Sequence, residues 1–169
     1  MKQLLTILLA MLTVSAGAGE KDVLDYVNTF IGTSSMGHVF PGACVPHGGV
    51  QLSPDTEAAP FYRDGKYNSE TYRYCAGYQY GDPTIVGFSH THLSGTGHSD
   101  LGDILMMPTS GEVSLEPGTV ENPGYRSRFS HDTEKAVPGY YEVYLEDSGV
   151  KAQLTATKRT GVHKYTFRE

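Results

Sequence analysis

The stretch from Phe88 to Asp103 gathers three histidines (His90, His92, His98), two carboxylates (Asp100, Asp103) and three glycines. Histidine and aspartate supply directed hydrogen bonds, and glycine lets backbone N–H groups come close to a ligand. Polar groups on a glycine-containing loop at the end of a rigid strand are where sites are commonly built. A metal centre is one chemistry to weigh, with His90, His92, His98 and Asp100 as its potential ligands. The binuclear metallohydrolase pattern His-x-His-x-Asp-His, however, demands Asp and His where this chain has Ser94 and Gly95. Ser94-Gly95-Thr96-Gly97 is not a nucleophile elbow, which needs Gly-x-Ser-x-Gly, nor a phosphate loop, which needs a lysine and a following helix. Hydrogen bonding to a ligand remains, beside a structural alternative. Residues two apart on a strand share a face, so His90 or His92 would point inward and bond backbone groups. Asp55, Asp100 and Asp103 could serve as acid or base; as isolated residues they equally form turns.

The elements that must position this loop read as strands. Thr84 to Phe88 is a short buried strand leading into it, and Ile104 to Met107 a second one leading out, closed by Pro108. Val50-Gln51-Leu52 alternates as a strand stopped by Ser53-Pro54-Asp55, and Thr56 to Ser69 is a long surface loop. Tyr72, Tyr74, Tyr78 and Tyr80 stand at even positions, which predicts a strand with one aromatic face. That face either packs on a core or forms a platform for sugar rings. Further strand-length segments follow at Gly111–Leu115, Tyr125–Phe129, Gly139–Leu145, Val150–Thr157 and Gly161–Phe167, separated by Gly, Pro, Asp or Ser. Only Asp132 to Ala136 could hold a helical turn, ended by Pro138. Evenly spaced strands without helical patterns between them predict an all-β fold, an antiparallel β-sandwich.

Composition agrees: glycine (20) and tyrosine (12) are abundant, as strands and tight turns favour. A formal net charge of −6 without a basic cluster leaves nucleic acid and membrane surfaces as poor partners. Lys2, the apolar run Leu4–Val14 and the small residues Ala16-Gly17-Ala18 predict a signal peptide over residues 1–18. Export to the periplasm or the medium follows, with residues 19–169 as the mature domain. The apolar run is too short to span a bilayer. Cys44 and Cys75 would then form one disulfide or remain two buried thiols. The alternating segment Gly161–Phe167 closes the sequence with neither turn nor cap, and an open strand edge needs a partner. The expectation is a domain incomplete at its C-terminus.

Several motifs follow one another in fixed order: Phe30-Ile31-Gly32-Thr33, Gly37-His38-Val39-Phe40-Pro41-Gly42-Ala43, Gln51-Leu52-Ser53-Pro54-Asp55-Thr56, Gly77-Tyr78-Gln79-Tyr80, Ile85 to Gly97, Gly102-Asp103-Ile104-Leu105 and Pro138-Gly139-Tyr140-Tyr141. Together they resemble the N-terminal domain of glycoside hydrolase family 92, over nearly all of the mature chain. Pro46-His47-Gly48-Gly49 departs from the Pro-Phe-Gly-Met more usual in that family. The resemblance implies an exo-acting, inverting α-mannosidase that needs calcium and acts on mannose-rich glycans. It also implies a partner domain, a C-terminal (α/α)6 barrel carrying the catalytic acid and base, so no catalytic residue and no calcium ligand is assigned in this chain. The N-terminal domain would supply one wall of the cleft, with His38, Tyr78, His90, His92, Ser94, Gly95, Thr96, Gly97, Asp100 and Asp103 as candidate contacts to a mannose-containing glycan. A stand-alone secreted carbohydrate-binding module is the alternative reading.

Overall fold

The computed structural model describes residues 21–98 and 101–168. Alternation sets the larger sheet. In β9 (Tyr140–Leu145) Tyr141, Val143 and Leu145 point inward, and in β10 (Val150–Ala156) Val150, Ala152, Leu154 and Ala156 do the same. These strands join β8 (Lys135–Val137) and β11 (Gly161–Phe167) in an antiparallel meander of order β11-β10-β9-β8. The register is fixed by pairs such as Leu154 with Tyr141 and with His163, because a slip of one residue would turn the apolar face to water.

The second sheet holds β1 (Ala43–Cys44), β2 (Gln51–Asp55) and β6 (Gly87–Ser89), again antiparallel. It lies across β9 and β10, and Leu52, Phe88, Tyr141 and Leu154 meet in the shared core. The arrangement is an antiparallel sandwich, as the strand spacing predicts. Two small pairs complete it: β5 (Thr84–Ile85) with β7 (Ser127–Arg128), and the exposed hairpin of β3 (Tyr62–Arg63) and β4 (Lys66–Tyr67).

Four local expectations are corrected. Ser53-Pro54-Asp55 does not stop β2 but completes it, buried. Pro54 stands opposite Phe88, whose N–H and carbonyl both bond Met106 on the other side, so no donor is demanded of the proline. Tyr72 to Tyr80 is no strand: a short helix α1 (Glu70–Arg73) and turns occupy it. With Gly77 at φ +77°, alternation is lost, and Tyr78 is buried while Tyr72 and Tyr80 are exposed. Ile104 to Met107 forms no buried strand; only Met106 bridges to Phe88, and Ile104, Leu105 and Met106 lie exposed. Gly111–Leu115 is likewise exposed loop, with Val113 and Leu115 in solvent.

No disulfide joins Cys44 to Cys75. Among the described residues no helix is long and apolar enough to cross a membrane. The expected signal peptide and Asp100 lie outside the described residues.

Candidate functional site

The loop leaves β6 at Ser89 and is closed at its base by backbone bonds. His90 N–H donates to the Asp103 carbonyl (3.0 Å) and Gly102 N–H to the Thr91 carbonyl (2.9 Å). The Thr91 hydroxyl accepts from Asp103 N–H (3.0 Å). Asp103 thus serves the loop through its backbone, while its side chain is exposed.

His92 turns inward and is only 2% exposed. Its Nδ1 lies 2.7 Å from the Gln51 carbonyl and its Nε2 3.0 Å from Asp55 Oδ1, with the Ser89 hydroxyl also 3.0 Å from Nε2. Two acceptors on opposite nitrogens require both to carry protons. Burial acts to lower the pKa of this imidazole, but the Asp55 charge and the hydrogen bonds to Asp55 and Gln51 outweigh it and hold it above the ordinary value. His92 and Asp55 form a buried ion pair that stitches the loop to β2. Every polar atom of the ring is therefore engaged within the protein. Gly77 covers the pair: a Cβ there would lie 2.0 Å from Asp55 Oδ1.

His90 faces the other way, so the two histidines do not share a strand face; the strand has ended at Ser89. His90 Nδ1 sits 2.9 Å from the Ile104 carbonyl and must carry the proton, which leaves Nε2 as an acceptor. His163 of β11 approaches that nitrogen at 3.0 Å and takes the Tyr165 hydroxyl on its own Nδ1 at 2.7 Å. Burial, then the facing His90, lowers the His163 pKa from 6.5 to about 4. The unfolded chain therefore binds the proton that the fold refuses, and stability falls as the pH drops from about 6.5 towards 4. His163→Gln should flatten this acid limb by on the order of 1–2 kcal/mol, discounted for partial exposure. Urea midpoints measured at pH 7 and pH 4.5 check it; an unchanged difference between the two would refute it.

Of the other candidates, His38 and Ser94–Gly97 come together. Gly95 N–H donates to the His38 carbonyl (2.7 Å), the His38 ring meets the edge of Tyr72 at 4.9 Å, and a Cβ on Gly97 would sit 3.2 Å from that tyrosine. His38 is buried with Nε2 lacking a hydrogen-bond partner. Ser94, Gly95 and Gly97 are exposed and Thr96 half-buried, its hydroxyl accepting from His98 N–H (3.1 Å). Tyr78 is elsewhere: 1% exposed, it donates to Glu134 in the core (3.0 Å) and presents nothing to a cleft.

Sequence reasoning did not find the cavity beside the His92–Asp55 pair. It measures about 200 Å³ and is walled by Asp55, Glu57, Tyr74, Gly77, Val86 and Leu105, among others. The Tyr74 phenol there is kept protonated by burial first and then by Asp82. The sequence reads Asp55 as part of a turn that stops the strand, whereas it lies buried at the end of β2. Among the described residues no three or more acidic, histidine or cysteine side chains are grouped to hold a metal ion.

The model of the glycosyl hydrolase family 92 N-terminal domain matches residues 26–169. A family 92 α-mannosidase of Bacteroides thetaiotaomicron, solved in complex with mannoimidazole, is 50% identical with a TM-score of 0.79; the match covers 88% of this chain and 18% of that one. An inverting family 92 mannosidase from the same organism is 27% identical with a TM-score of 0.61, over 89% of this chain and 19% of that one. An uncharacterized secreted glycosidase of Arthroderma benhamiae is 30% identical over 158 residues, covering 88% of this chain and 18% of the relative. The chain spans about a fifth of the length of these relatives. It belongs to glycosyl hydrolase family 92, as that family's N-terminal domain.

Proposed function

We propose that this chain is the N-terminal, cleft-forming domain of an exported, exo-acting and inverting α-mannosidase that removes mannose from mannose-rich glycans. The observation that carries the proposal is the 50% identity to an α-mannosidase, spread over nearly the whole domain. The N-terminal domain contributes one wall of the cleft through the loop that follows β6, with the Ser94–Gly97 turn as its polar face and the buried His38 behind it. An inverting pair of carboxylates stands roughly 6.5–9.5 Å apart around a water. That pair belongs to the (α/α)6 partner domain. The calcium requirement is part of the same reading, yet no cluster of acidic, histidine or cysteine side chains among the described residues fits the ion.

Residues 19–169 alone should release no mannose from an aryl α-mannoside, with or without calcium, whereas the protein joined to its helical domain should. Reducing-sugar release by both forms is the test. Turnover by the short form that survives repurification would overturn the assignment of the acid and base, and an inert long form would overturn the α-mannosidase itself. Export is checked separately: mass spectrometry of the protein recovered outside the cytoplasm should find an N-terminus near Gly19, not Met1.

A further inference from the structure

We propose that the cavity beside Asp55 binds one hexose ring of a glycan, with adjacent hydroxyl groups on the carboxylate and the ring's apolar face against Val86 and Leu105. This deepens the α-mannosidase reading and rests on it for the sugar's identity.

Three features point to a neutral polyol. Asp55 and Glu57 line one side and apolar side chains the other, which matches a pyranose with its hydroxyl edge and its C–H face. Both carboxylates are already balanced, Asp55 by His92 at 3.0 Å and Glu57 by Arg126 at 2.9 Å. A cation would gain little there and an anion would be repelled, whereas hydroxyl donors meet strong acceptors at no net charge cost. The third feature is an incomplete hydrogen-bond account. Asp55 is 7% exposed, and its Oδ2 is buried without a partner. A buried carboxylate oxygen in that state is costly unless a donor reaches it. The torsion at the carboxylate is soft, so a small rotation presents one oxygen to the cavity while the other stays on His92.

A larger space of about 500 Å³ shares Glu57, Ala58, Ala59 and Tyr74 with the cavity. A further sugar of the same glycan has room there. Gly77 is required for the same geometry, because its positive φ and the 2.0 Å approach to Oδ1 leave no place for a side chain.

The test uses the protein with its helical domain and 1,5-anhydro-D-mannitol, a hexose ring with no bond to hydrolyse, followed by titration calorimetry. Ala59→Trp adds bulk to the cavity wall while leaving Asp55, His92 and Glu57 themselves unsubstituted. It should weaken binding by about tenfold or more while leaving the thermal midpoint near the parent value; Asp55→Asn should also weaken binding. Binding equal to the parent in Ala59→Trp, or no binding by the parent, overturns the inference. Release of mannose from an aryl α-mannoside is followed in the same preparations. Turnover that persists when the ring does not bind leaves the α-mannosidase standing and removes only this cavity from it.

Discussion

His92→Ala is expected to destabilise the domain by about 3–5 kcal/mol, because it leaves the Asp55 carboxylate buried without its counter-charge. The Gln51 carbonyl and the Ser89 hydroxyl lose their partner in the same change. Against a total stability of roughly 5–15 kcal/mol, that is a large share, and a fall in thermal midpoint on the order of 10 °C follows. Neutralising the stranded charge should recover part of it, so Asp55→Asn placed in the His92→Ala background is expected to be more stable than His92→Ala alone. Scanning calorimetry of the parent, both single variants and the double variant reads this directly. If the proposed full-length enzyme is assayed, kcat/KM should then fall with the folded fraction. A His92→Ala protein that melts like the parent yet loses activity would show the ring acting on substrate, and the structural assignment would fail.

The second large effect is expected at Glu134. Its side chain is 1% exposed and accepts from the Tyr78 hydroxyl (3.0 Å), the Tyr141 hydroxyl (2.6 Å) and His131 Nδ1 (2.5 Å). Tyr78 comes from the turn after α1 and Tyr141 from β9, so one carboxylate ties a loop to the meander. Burial first, and then the Glu134 charge, raises the pKa of both phenols and keeps them protonated as donors. Glu134→Ala strands two buried hydroxyls at about 1–3 kcal/mol each, a loss of roughly 3–5 kcal/mol. Glu134→Gln retains one acceptor oxygen and should cost about half as much. Denaturant midpoints at neutral pH give both values; a Glu134→Ala variant within about 1 kcal/mol of the parent would show that water or relaxation replaces the carboxylate.

Three of the meander's four strands were legible in the sequence because their signals are local. β8 was not: Asp132–Ala136 reads as a helical turn, whereas the structure has a 3₁₀ turn at His131–Thr133 followed by a strand at Lys135–Val137. Tyr140–Leu145, Val150–Ala156 and Gly161–Phe167 alternate cleanly, and Gly139 and Gly149, both at positive φ, mark the turns between strands. The aromatic run Tyr72–Tyr80 and the apolar run Ile104–Met107 misled for a common reason. Residue type reports what a strand would tolerate, and burial depends on whether a partner strand arrives. None does at Tyr72–Tyr80, and only a single bridge forms at Met106. The polar clusters were less legible still. His92 meets Asp55 across 37 positions, Tyr78 meets Glu134 across 56, and His90 meets His163 across 73. Spacing along the chain carries no trace of such pairings until the sheets are stacked. The loop of histidines and glycines was found as a unit, but its members divide: His92 inward, His90 towards β11, and Ser94–Gly97 beside His38.

The bonds that close the base of that loop have a consequence for how such domains diversify. Residues 90 and 91 are locked to 102 and 103 by backbone bonds independent of what lies between. Lengthening an excursion whose ends are already pinned costs only slowly growing closure entropy, about 0.6 kcal/mol per doubling. The excursion can therefore change in length and polarity at little cost while the sheets beneath keep their register. Selection for a different ligand would find there a place to act at little expense in folding.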